Sequence, residues 1–73
     1  MKVVVTGTVM DVIKNEGKET YSHLLYQAGE RNLVEVRTKN NSVTIGDVNT
    51  YNGRVFAFRT REGVRVMVMA DDE

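Results

Sequence analysis

The last third of the chain constrains its fold most. Residues Val48 to Arg59 and Val64 to Ala70 are two long runs rich in valine, tyrosine and phenylalanine, separated by the short segment Thr60-Arg61-Glu62-Gly63. Runs of this kind, parted by a tight turn that contains glycine, predict two long antiparallel strands. Phe56 and Phe58 stand beside Arg54, Arg59 and Arg61 near the tip of that hairpin.

The rest of the chain follows the same pattern. No segment keeps a helical period, and short alternating runs are parted by glycine and asparagine. The first strand is expected from Lys2 to Lys14, with Gly7 marking a bulge or bend of the kind that barrel closure needs. A turn at Asn15-Glu16-Gly17-Lys18-Glu19 leads to a strand over Thr20 to Gln27. A second turn, Ala28 to Asn32, leads to a strand over Leu33 to Thr38. The fourth strand carries a possible bulge at Asn52-Gly53. The fold expected is all-β: a small five-stranded Greek-key OB-like barrel over residues 1–70, with 71–73 as a short, mobile acidic tail. An SH3-like barrel is the second choice.

At 73 residues the chain has room for one domain with a small core. It contains no cysteine and no proline, so disulfides and thiolate metal sites are excluded. His23, the one histidine, has no partner in the sequence for a metal site. No nucleophile elbow, phosphate loop or paired-carboxylate spacing occurs, so an enzyme is not expected and no cofactor is implied. The apolar run near the N-terminus is far too short to span a bilayer, and a soluble, cytoplasmic protein is expected. The ten basic and ten acidic residues cancel, but Asp71, Asp72 and Glu73 supply three of the acids, which leaves the body at about +3. Five arginines follow Glu35, so positive charge gathers in the later strands.

Ile45-Gly46-Asp47-Val48 followed by Tyr51-Asn52-Gly53-Arg54-Val55 resembles the entry to the fourth strand of OB-fold single-stranded DNA-binding proteins of the bacterial type. Val5-Thr6-Gly7-Thr8-Val9 is similar to the glycine-bent first strand of many OB folds. Gly17-Lys18-Glu19-Thr20-Tyr21-Ser22 looks like the Gly-Lys…Tyr-Ser segment of the gene V type proteins of filamentous phages. The resemblance implies a stacking tyrosine at Tyr21, a symmetric homodimer, and coating of single-stranded DNA in replication or recombination of a phage or plasmid in a bacterial host. The chain departs from the family in lacking room for a helix between strands three and four, and in its neutral charge.

The candidate nucleic-acid-binding residues are Tyr21, Phe56 and Phe58 for base stacking, and Lys18, Arg37, Arg54, Arg59 and Arg61 for phosphates. Everything turns on strand parity. With Val55 and Ala57 inward, Arg54, Phe56 and Phe58 face out and form a platform; with the phenylalanines inward, they are core. Tyr21 and Tyr26 have opposite parity, so one face cannot show both. On the fifth strand, inward valines would leave Met67 and Met69 outward beside Arg65. Two other functions stay open: a β-barrel protein-interaction module that binds no nucleic acid, and a small RNA-binding OB domain.

Overall fold

The computed structural model describes residues 1–40 and 42–71; Asn41, Asp72 and Glu73, and with the last two most of the expected acidic tail, lie outside the described residues. Five strands run in order: β1 (Lys2–Lys14), β2 (Tyr21–Tyr26), β3 (Val34–Thr38), β4 (Val48–Thr60) and β5 (Gly63–Ala70). They close into one barrel in the ring order β1-β2-β3-β5-β4, with β4 returning to β1. Every neighbouring pair is antiparallel except β3 and β5, which run parallel. This is the small OB-like barrel expected, and the SH3-like alternative falls away.

The inner face is built by alternation. Val5, Val9, Leu25, Val36, Tyr51 and Val68 form the buried cluster, with Val3, Val12, Val34, Val55 and Ala70 packed around it. Burial of such aliphatic side chains contributes about 1.5–3 kcal/mol each. His23 and Thr38 are also fully enclosed.

The first-strand bulge falls at Met10, not at Gly7. Val9 pairs with Leu25 and Asp11 with the adjacent Leu24, so Met10 is the extra residue. The insertion resets parity, and that is why Val12 joins the same inner face as Val9 despite an odd spacing. Gly7 keeps a regular ladder with Asn49. Its role is close approach: a Cβ there would lie 2.8 Å from the Tyr26 carbonyl oxygen. The expected bulge at Asn52-Gly53 is also absent, since both residues pair in sequence with Val4 and Val3. Gly53 is needed because a Cβ would sit 2.2 Å from the Met69 carbonyl oxygen on β5. Asp71, assigned to the tail, is still tied to the barrel, its amide donating to the Asn52 carbonyl at 2.8 Å.

The β1–β4 ladder ends at Lys2 and Arg54, and the Val55 amide donates to the Met1 carbonyl at 3.0 Å. Beyond that point β4 has only β5 beside it among the described residues. The β5 strand in turn meets β3 only at Val68 and Met69, opposite Val36 and Arg37. Residues 56–66 therefore form a two-stranded arm that projects past the barrel wall. Gly63, at φ 121°, takes the left-handed backbone that its turn requires.

Candidate nucleic-acid interface

The arm answers the parity question. Tyr51, Gly53 and Val55 point inward, so Arg54, Phe56 and Phe58 point outward, and the two rings are 48% and 41% exposed. Across the ladder Arg54 pairs with Met69, Phe56 with Met67 and Phe58 with Arg65, which places all six side chains on one face. Met67 is 4% exposed although it faces away from the core. Met67 is thus covered by its neighbours on that face and forms the floor beneath the phenylalanines.

That outer wall extends over β3 and β2. Met69 pairs with Arg37, and Arg37 with Ser22. Ser22 in turn pairs with Ile13 of β1. One cross-strand row therefore reads Arg54, Met69, Arg37, Ser22, Ile13. Beside it lies a groove of about 290 Å³, lined by Ile13 and Leu24 on one side and by Glu35, Arg37 and Arg65 on the other.

Three of the eight sequence-derived candidates gather on the outer face of the β4–β5 hairpin (Arg54, Phe56 and Phe58), and Arg37 joins them from β3. The others lie elsewhere. Tyr21 shares the parity of His23 and Leu25 and pairs with Thr38, itself 2% exposed, so it belongs to the barrel's inner side and not to the phenylalanine platform. Tyr26 is the β2 tyrosine on the outer side, and it is 47% exposed. Arg59 pairs with Val64 and faces the opposite side of the arm, with Ala57 and Val66. Arg61 is exposed in the turn at the arm's tip, and Lys18 is exposed in the β1–β2 turn. The first of these turns joins β4 to β5 and the second joins β1 to β2.

Two participants escaped the sequence reading. Glu35 sits in the wall with its side chain only 10% exposed. Its carboxylate accepts from Ser22 Oγ at 3.1 Å, from Arg37 Nη2 at 3.5 Å and from Arg65 Nη2. Arg65 itself, 57% exposed at the side chain, belongs with the face although only its neighbours were chosen. The signal was present in Val34-Glu35-Val36-Arg37, where the acid and the arginine share parity. Among the described residues, no group of three or more histidines and carboxylates could hold a metal ion.

The outer wall thus offers exposed rings, a buried methionine floor, three arginines and one enclosed acid, an arrangement able to stack planar groups and to hold anions. No protein-family model matches the chain, and no curated protein or solved structure matches it significantly.

Proposed function

We propose that this protein binds single-stranded nucleic acid, DNA first, with little sequence preference, along the outer face of β4, β5 and β3. The observation that carries this reading is the outward, half-exposed placement of Phe56 and Phe58 on the same face as Arg54, Arg65 and Arg37. Every base has a π-face, so exposed rings bind bases without reading them, and each stack contributes about 1–3 kcal/mol. Arginines beside the rings hold the phosphates. The resemblance to single-stranded DNA-binding OB proteins supports a coating role in replication or recombination in the cytoplasm, of phage or plasmid type.

A titration with labelled oligonucleotides over a range of salt tests it. Binding should weaken with salt, with a log–log slope of about −0.7 per phosphate contacted. No binding at low salt to either DNA or RNA single strands would end the proposal, and tighter binding to RNA would convert it to the RNA-binding alternative.

A protein partner is favoured by a different observation. The reverse side of the arm carries Val64 and Val66 at 69% and 58% exposure, with open strand edges beside them. Apolar surface at an unpaired edge suits strand-to-strand association. A homodimer joined through this side leaves the phenylalanine face free, so the two readings are compatible.

A further inference from the structure

We propose that Arg37 and Arg65 form a phosphate seat that the Glu35 carboxylate fills in the free protein, and that the carboxylate gives way when a strand binds. The inference rests on the nucleic-acid reading for its strand, while the seat itself rests on geometry.

Glu35 is an acid in the middle of an arginine-bearing wall, enclosed except for a tenth of its side chain. The groups around it are those a tetrahedral oxyanion uses: a hydroxyl from β2, a guanidinium from β3 and a second guanidinium from β5. The carboxylate serves them unequally. One oxygen takes Arg65, and the other takes both Ser22 and, at the outer limit of a hydrogen bond, Arg37. The Arg37 Nε is buried and has no hydrogen-bond partner among the described residues.

A guanidinium presents five N–H donors in a rigid fork. Two carboxylate oxygens shared among three residues leave that fork unfilled. An oxyanion with an additional acceptor oxygen can meet Arg65 and both the Nε and Nη2 of Arg37 together. The groove beside the trio has room for such a group. Arg54 and Met69 continue the row from Arg37, so a strand seated there would pass directly to the phenylalanine platform. A phosphate and an ionised Glu35 repel each other in the same seat. The acid therefore lowers affinity for the strand while keeping the arginines in place without it.

The experiment compares the wild type with Glu35→Gln in two measurements: oligothymidylate binding over a range of salt, and the arginine Nε–H spectrum with inorganic phosphate added. Glu35→Gln should bind the oligonucleotide about three- to tenfold tighter, with a log–log slope steeper by about 0.7. Asp47→Asn, the same charge change on an exposed residue of the β3–β4 loop, should stay within about twofold of the wild type. Arg65→Gln added to Glu35→Gln should abolish the gain. Phosphate should move the Arg37 Nε signal in Glu35→Gln at concentrations that leave the wild type unchanged.

A folded Glu35→Gln that binds the oligonucleotide no tighter overturns the gating role. An Arg37 signal that ignores phosphate in Glu35→Gln overturns the seat. A phosphate response in a protein that binds no oligonucleotide supports the seat and sinks the nucleic-acid reading instead. Should Glu35→Gln fail to fold, Glu35→Asp, which withdraws the carboxylate by one methylene, should show a smaller gain in both measurements, and no gain in either overturns the proposal.

Discussion

The Tyr51 hydroxyl on β4 lies 2.7 Å from Nδ1 of His23 on β2, and the two rings meet edge to face with centroids 5.6 Å apart. The other ring nitrogen, Nε2, lies 2.8 Å from the Asn40 carbonyl oxygen. A carbonyl only accepts, so Nε2–H donates to it. In the neutral ring Nδ1 then accepts the Tyr51 hydroxyl. One buried histidine thus links β2, β4 and the segment that follows β3.

Tyr51→Phe removes the hydroxyl that donates to Nδ1 of a fully enclosed ring. The expected cost is about 1–3 kcal/mol. In a domain of this length that lowers Tm by roughly 5–20 °C. A thermal melt followed by circular dichroism checks it, and a change of only a degree or two would show that the link contributes nothing.

Burial raises the Tyr51 hydroxyl above its ordinary pKa of 10.0, against a smaller opposing effect from the Asn49 side chain. The folded pKa exceeds the unfolded one, so this contribution to stability is complete below pH 10 and is lost as pH climbs through the raised value. Urea unfolding of the wild type and Tyr51→Phe should therefore show a stability gap that is constant at neutral pH and narrows above pH 10. A gap that stayed level into the alkaline range would contradict the burial argument.

Gly53→Ala places a methyl group 2.2 Å from one backbone oxygen and 2.9 Å from its carbon, both in Met69. Neither atom is at the end of a flexible side chain, so β5 itself must shift. We expect a loss of about 3 kcal/mol or more. Against a total of roughly 4–11 kcal/mol for a domain of this size, that removes between about a quarter and three quarters of the stability. Chemical denaturation measures it directly.

Phe56→Ala and Phe58→Ala separate binding from folding. Both rings are about half exposed on the projecting arm. Each substitution should weaken oligonucleotide binding by about 5- to 150-fold, the equivalent of one stacked base. Stability should fall by less than about 1 kcal/mol. The opposite pattern, lost stability with binding intact, would make the pair structural.

Val66→Glu on the reverse side of the arm should change the stability of the monomer itself by no more than about 0.5 kcal/mol. If the arm's reverse side joins two copies, sedimentation will show the substituted protein as a monomer where the wild type is a dimer.

Much of the fold was legible because β alternation is a local signal. The Val3, Val5, Val9 set could be read from the chain and holds in the structure. The side on which Phe56 and Phe58 lie was open in the sequence and is decided by the inward Tyr51, Gly53 and Val55. The Met10 bulge could not. Nothing in Thr8-Val9-Met10-Asp11 marks an inserted residue, and only the partner strand defines it. The bulges expected at the two interior glycines are not there, and their close approaches could not be read locally because the atoms they make room for lie on other strands. The Tyr21 assignment came from a resemblance of a short segment, whereas the ladder with Thr38 decided its side. Glu35 was overlooked because an arginine-rich face was sought by its positive charge, while the acid's importance comes from enclosure, which no single strand reveals.

The barrel is shut between β3 and β5, where Val36 meets Val68 and Arg37 meets Met69, the two Cα pairs formed there among the described residues. Every other ladder except β1–β4 joins strands adjacent in sequence. A β1-β2-β3 meander and a β4–β5 hairpin can each assemble from local pairings, but the closure needs residues from both. Two locally paired pieces therefore have to meet along two distant seams, the long β1–β4 ladder and the short β3–β5 one. Arg37 stands on one side of that join and Arg65 and Arg54 beyond the other, so any anion that bridges them also acts as a clasp: occupancy of the outer wall and integrity of the ring become one equilibrium.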